Sequence, residues 1–308
     1  MAVPKTNTGA PIPLVVDYQD PDGIWWNLSD ISMSKGWVCS AIAGIEGLAV
    51  AMQSIPLLDG TALPLTYLPA TGTIGLAILV GRGADNDEFA YYRNLDAVVR
   101  AFYNRRNQQP APGALRVTRP DGSQRIIAVY TTSGLNTPEV GLNDMTLFSI
   151  ALSTLDPYWS DYGNDNNLHF PILFGNNGIL PITFPSPGIA FNPSQESGSF
   201  KLTNWGDGQC FPNWVFTGPG TPTVHNTTSN RSFAFTQAIP AGQQVQVTTK
   251  PGATSCQNIT TGTNWWQYLN PHDMFPLMAG YNLVTISVTG ATAATAVDVS
   301  YTNRWLRA

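Results

Sequence analysis

Apolar and polar positions alternate along most of this chain, which reads as many short strands separated by turns rich in Gly, Pro, Asn and Asp. Met145-Thr146-Leu147-Phe148-Ser149-Ile150-Ala151-Leu152 is the strongest run, full of β-compatible residues. Residues 13–18 and 24–28 flank Gln19-Asp20-Pro21-Asp22-Gly23, and residues 114–119 and 125–130 flank Pro120-Asp121-Gly122-Ser123, so each pair predicts a hairpin. Residues 73–81 alternate as a further strand. Residues 29–44 show no clear period, and residues 55–69, with three prolines and a glycine, are expected to form a long loop.

The period changes once. From Glu88 to Arg105, the residues Tyr92, Leu95, Val98, Val99 and Phe102 recur at spacings of three and four, the signature of an amphipathic helix over about 88–105. Asp85, three residues before Glu88, suits a capping box. Strands around a single helix predict an α+β first half built mainly of antiparallel sheet.

Leu155-Asp156-Pro157-Tyr158-Trp159 follows the strongest strand, and a polar, turn-prone stretch to Asn167 comes next. Pro157 has no N–H for a ladder, so it stops the strand. Asp156, Pro157, Tyr158 and Trp159 are therefore expected at an inter-domain junction, the two rings covering the end of one core or offering a ligand platform. Beyond it, apolar runs at 200–203, 214–217, 232–236, 244–248, 283–289 and 297–301 alternate with polar turns, the pattern of a β-sandwich without a helix. Five tryptophans lie here: Trp205, Trp214, Trp265, Trp266 and Trp305. They fill the core, or they present aromatic faces to sugars; Trp265 and Trp266 are the candidate glycan contacts.

Composition sharpens this picture. A chain of 308 residues favours two domains over one core. Charged residues make up 11% of it, against roughly 25% in an average soluble domain, which points to a surface covered by neighbours in a larger assembly. The net charge of −5 speaks against a nucleic-acid-binding face. Arg105-Arg106 is expected to close the helix, and Arg116, Arg119 and Arg125 to flank a hairpin as solvated charges. No apolar run is long enough to span a membrane, and the first residues carry no signal-peptide pattern, which predicts synthesis in a cytosol.

Candidate chemistry is sparse. Cys39, Cys210 and Cys256 are few and far apart, suggesting neither a disulfide framework nor a zinc site. His169, His225 and His272 stand alone, and no nucleophile elbow or phosphate-cradling glycine motif is present. Asp144 and Asp156 are conceivable as a glycosidase pair, but aspartate at turns and strand ends is commoner. Asn27, Asn226, Asn230 and Asn258 begin glycosylation triplets that a chain this rich in Asn and Thr produces by chance. No catalytic, cofactor-binding or metal-binding residue is expected.

Leu115-Arg116-Val117-Thr118-Arg119-Pro120-Asp121-Gly122 followed by Leu155-Asp156-Pro157-Tyr158-Trp159 resembles the distal tail proteins of long-tailed bacteriophages, particularly those of actinobacterial hosts. Phe211-Pro212-Asn213-Trp214-Val215-Phe216-Thr217-Gly218-Pro219, the stretch from Asn282 to Thr292, and Val299-Ser300-Tyr301 look like that family's second-domain strands. Residues 57–73 and 164–177 lie outside the resemblance. It implies a mainly β fold: residues 1–160 as a β-barrel-like sandwich with one helix that forms a ring, and residues 161–308 as an outward galectin-like β-sandwich. The implied role is a non-catalytic virion protein of the tail tip, assembled in the host cytoplasm. It would form a homo-oligomeric ring of about six copies that joins the tail tube protein to a tail-tip hub or baseplate protein. Host-surface carbohydrate is a further candidate partner, and a ring around a DNA conduit should carry no basic belt on its lumen. The competing reading is a carbohydrate-binding β-sandwich protein or glycosidase accessory module acting alone on host glycans.

Overall fold

The computed structural model describes residues 14–45, 50–56, 62–83, 89–106, 109–136, 145–163, 166–171, 196–292 and 294–308. The chain divides into two compact units, residues 1–163 with 305–308, and residues 164–304. The division thus falls a little later than 160/161, and the last four residues belong to the first unit rather than the second. Their reason for returning is polar. The Trp305 indole donates to Asp161 Oδ1 at 2.6 Å, the Arg125 guanidinium lies 4.0 Å over the Trp305 ring and donates to the Arg307 carbonyl, and the Ala308 N–H reaches the Ile45 carbonyl.

The first unit is built on a large antiparallel sheet whose main path runs Trp25–Asn27, Val15–Gln19, Gly113–Thr118, Gln124–Ser133, Thr146–Thr154, Thr73–Val80 and Trp37–Ala43, with two small two-stranded sheets beside it. Both predicted hairpins form, Asp17 facing Asn27 and Gln124 facing Thr118. Along Thr146–Thr154 and Thr73–Val80 every second residue is buried, so Phe148, Ile150, Leu152, Ile74, Leu76, Ile78 and Val80 line one face. Trp26 and Trp37 belong to the two edge strands, yet their rings lie 5.5 Å apart. The sheet therefore curls far enough for its edges to meet, which is the barrel-like closure expected of this half.

The helix is shorter than expected, Ala90–Phe102 instead of 88–105. Its buried residues are Ala90, Tyr91, Val98, Ala101 and Phe102, with Leu95 and Val99 partly buried; Tyr92 is exposed and its neighbour Tyr91 points inward. Phe102 stacks on Tyr18 at 4.3 Å, and the Tyr18 hydroxyl donates to the Ala101 carbonyl, so the last turn docks on the sheet. Gly113 permits this approach, since a Cβ there would lie 2.4 Å from the Tyr18 hydroxyl oxygen. Asn104 then leaves the helix to accept the Thr131 N–H. Arg105–Arg106 does not close the helix but pairs with Gln109–Pro110. The expected capping box at Asp85 and Glu88 lies outside the described residues.

Two stretches read as irregular or loop are strands. Trp37–Ala43 pairs with Thr73–Val80 through a register shift between Cys39 and Ala41, which breaks its alternation. Of residues 55–69, those described belong to a two-stranded antiparallel sheet, Val50–Pro56 against Ala62–Pro69; residues 57–61 lie outside the described residues. Its prolines sit where a ladder tolerates them. Pro56 and Pro69 end their strands, and Pro64 adjoins the shift that leaves Leu65 as an extra residue.

The second unit is a β-sandwich. One sheet runs Asn166–Pro171, Ala296–Tyr301, Asn213–Thr217, Gln244–Thr248, Ser255–Asn258, Thr263–Asn264; the other runs Glu196–Asn204, Gly280–Thr289, Thr221–Asn226, Arg231–Phe235, Leu269–His272. Trp214, Phe216, Val245, Val247 and Val299 from the first sheet meet Val224, Phe233, Ile286 and Val288 from the second in one core. Trp214 is fully buried, with Phe216, Phe233 and Phe275 between 6.2 and 6.4 Å from its ring. The unit's described helical turn is a single one, the 3-10 turn Trp266–Tyr268. The whole is mainly β with one α-helix among the described residues, as the pattern predicts.

Candidate functional site

Among the described residues no group of three or more His, Cys, Asp or Glu residues gathers at metal-binding distance, and no described helix is long and apolar enough to cross a membrane. Cys39, Cys210 and Cys256 are buried, and burial pushes their thiols up to about 11, about 12 and about 12 respectively, so they are poor nucleophiles near neutrality. His225 Nε2 faces Asn230 Oδ1 at 3.4 Å, while His169 and His272 lie on separate strands of opposite sheets. Asp156 accepts the Tyr158 N–H in a turn, the commoner use of aspartate; Asp144 lies outside the described residues.

The glycosylation triplets also have a local explanation. Asn226 Oδ1 accepts the N–H groups of Thr228 and Ser229, and Asn258 Oδ1 those of Thr260 and Thr261, and both asparagines are buried. Their Thr and Ser neighbours are the turn that each carboxamide folds.

The four residues expected at the junction lie inside the first unit, which runs on to Gly163. Trp159 opens the short strand Trp159–Asp161, which pairs with Arg125 and Ile126, and its ring is buried in the first unit's core. Tyr162, just beyond, packs edge-on against Trp25, and the Arg116 guanidinium lies against both, 4.1 Å from the Trp25 ring and 5.2 Å from Tyr162, and donates to Asp17 at 2.8 Å. No sequence signal pairs residues so far apart.

The tryptophan pair separates. Trp265 is 6% exposed, packed edge-on against Phe235 and Tyr268, and so has no face to offer a ligand. Trp266 is 37% exposed and lines an open concavity of about 490 Å³ together with Thr254, Ser255, Gln257, Gly262 and Asn264. Adjacent positions in a tight turn point in different directions, so sequence alone does not tell which indole is which.

Two surface features of the first unit escape the sequence reading. Ile31, Phe89, Tyr92, Met145, Leu147 and Leu155 are each more than half exposed. On the sheet, Ala41, Ala43, Gly75, Ala77, Ser149 and Ala151 form a shallow, uncharged depression of about 340 Å³. Charge patterning along one strand does not reveal such a face, because three strands build it.

No protein-family model matches the chain, and no curated protein matches it in sequence. Solved structures do match. The Dit protein of phage SPP1, described as a paradigm of the hub adsorption apparatus in phages infecting Gram-positive bacteria, aligns with a TM-score of 0.61 and 10% identity, covering 94% of this chain and 98% of that one. A chain of the phage P2 baseplate in its activated conformation with Ca aligns at 0.53 and 9% identity, covering 96% and 100%. The same baseplate with Sr aligns at 0.52 and 10%, covering 96% and 99%. With so little identity these likenesses speak for the fold alone, and the fold is that of the Dit-like bacteriophage tail proteins.

Proposed function

We propose that this protein is a structural component of a bacteriophage tail, a ring-forming hub that joins the tail tube to the baseplate or host-recognition apparatus. The observation that carries the reading is the fold shared with SPP1 Dit over nearly the full length of both chains. In this reading the first unit forms the ring, in about six copies closed by heterologous contacts, and the second, galectin-like unit points outward. The exposed apolar side chains of the first unit support it, since scattered large apolar groups on one unit suit surfaces that neighbours cover. The uncharged depression on its sheet suits a wall past which DNA slides without its phosphates being held. Buried thiols and a surface poor in charge accord with a non-enzymatic role in the virion.

Native mass spectrometry of the purified chain, with negative-stain images of the same sample, tests the proposal. A closed ring of about six subunits is expected. A chain that stays monomeric at high concentration, alone and with its phage's tail tube protein added, overturns it.

A further inference from the structure

The geometry points to a neutral saccharide as the ligand of the concavity beside Trp266, a site that goes beyond the tail reading and stands on its own residues. Ser255–Asn258 and Thr263–Asn264 form the edge hairpin of the six-stranded sheet. Its turn is fixed from inside: Asn258 holds Thr260 and Thr261, and Gln257 Nε2 donates to the Gly262 carbonyl at 3.3 Å. The chain leaving the hairpin is fixed as well. The Trp265 N–H donates to the Cys256 carbonyl at 2.9 Å, the Trp266 N–H donates to Asn264 Oδ1 at 2.8 Å, and the buried Trp265 ring anchors the turn in the core. Trp266 is thereby held at the surface by its neighbour's burial, so the site is organised before any ligand arrives.

The lining selects the ligand class. Beside the indole stand two hydroxyls, Thr254 and Ser255, and two carboxamides, Gln257 and Asn264, and among the described residues none of the lining carries a charge. An anionic ligand finds no cation here, and a cation finds no carboxylate. An apolar peptide would strip water from the carboxamides without replacing their hydrogen bonds. A pyranose ring fits both halves of the lining: its C–H face lies on an aromatic ring, and its hydroxyls, donor and acceptor at once, meet hydroxyls and amides. The volume falls in the range of small-ligand sites, about 300–1,000 Å³, and the open mouth lets a longer glycan continue past one or two bound sugars.

The test is a glycan array carrying neutral hexose and N-acetylhexosamine oligosaccharides beside sialylated and phosphorylated ones, followed by titration of the retained oligosaccharide into wild type and variants. Wild type should retain neutral glycans. Trp266→Ala should weaken binding about tenfold or more, the equivalent of about 1.4 kcal/mol. Trp205→Ala removes an indole that is 60% exposed elsewhere in the unit and should change nothing. Should Trp266→Ala melt early, Trp266→Phe keeps a ring in place and should lose only a few-fold. An array on which wild type retains no neutral glycan, retention of anionic glycans alone, or affinity indifferent to Trp266→Ala and Trp266→Phe each overturns the site. Native mass spectrometry of the same preparation reads ring formation separately, so a ring without glycan binding sinks this inference and leaves the tail reading standing.

Discussion

Among the described residues of the first unit the buried polar groups are Asp17, Asp20, Arg125, Thr146 and Thr154; in the second they are Asn204, Asn226, Thr249, Asn258, Asn282, Thr295 and Asn303. Three of the first group are charged, and none of the second. The charges are satisfied largely by distant partners: Arg116 for Asp17, the C-terminal residues for Arg125, and for Asp20 both its own turn and the Trp26 indole. The asparagines instead bind loop backbone, most of it close to themselves in sequence. Asn204 accepts the Gly206 N–H and donates to the carbonyls of Gly208 and Leu277; Asn282 accepts the Met278 N–H and donates to the carbonyls of Met278 and Gly280. A carboxamide both donates and accepts, so it can replace water around a loop without burying an ion. The first unit's buried Asp17 and Arg125 tie together residues 99 and 182 positions apart, while the second unit's buried asparagines tie mostly their own loops.

The largest effect should come from removing one of these loop ties. Asn282→Ala leaves a half-buried N–H and two half-buried carbonyls without their partner and should cost about 2 kcal/mol. In urea, hydrogen exchange in Gly280–Thr289 should accelerate while Thr146–Thr154 keeps its protection. A loss below about 0.5 kcal/mol would mean that water takes over the carboxamide's role, and the contrast between the units would lose its basis.

Alkaline pH should act unequally on the two units. Burial raises the thiols of Cys39, Cys210 and Cys256 above the ordinary 9.0, to about 11, about 12 and about 12. Each is held neutral by the fold. The stability it contributes is fully present below the unfolded value and is lost as pH rises through the folded one, at up to about 1.4 kcal/mol per pH unit per thiol. Burial also raises one tyrosine in each unit, Tyr18 and Tyr301, and both stay in place in every cysteine variant compared. The second unit has one thiol more. Urea unfolding at pH 8 and pH 10 should show a shallower alkaline fall in C210A/C256A than in C39A; equal slopes would refute the asymmetry.

How much of this was legible follows from what each core position is made of. Asn213–Thr217 and Gln244–Thr248 bury every second residue with Val, Phe or Trp, and Thr146–Thr154 does so with Phe148, Ile150 and Leu152 between two buried threonines, so their period is visible in the sequence. Thr221–Asn226 has the same burial pattern, but its inward positions are Pro222, Val224 and Asn226, two of which a search for apolar residues does not count. Trp37–Ala43 hides its period behind a register shift. The helix was readable from its spacing, yet Tyr91 and Tyr92 look alike until the sheet decides which one meets Thr146. At the candidate glycan site the aromatic pair was visible and its division into anchor and platform was not, because that depends on Phe235 and Tyr268. The return of Trp305 to Asp161 joins residues 144 positions apart, and neither announces the other.

The smallest effects should come from two ion pairs that differ only in their surroundings. Asp17 and Arg116 meet at 2.8 Å with side chains 11% and 21% exposed, under the rings of Trp25 and Tyr162; Asp273 and Arg231 meet at 2.5 Å with side chains 43% and 42% exposed. The shorter distance belongs to the wetter pair. If separation set the energy, Asp273→Asn would cost more; if water and salt set it, Asp17→Asn would. Screening and side-chain entropy reduce an exposed pair to about 0–0.5 kcal/mol, whereas a half-buried guanidinium that loses its carboxylate stays packed against two rings and should cost about 1–2 kcal/mol. Salt adds an independent reading: raising ionic strength from about 0.05 M to about 1 M should erase the small cost of Asp273→Asn and leave most of that of Asp17→Asn. A reversed order in urea unfolding would show that charge burial does not distinguish the first unit's ties from the second's, and the comparison would rest on the asparagines alone.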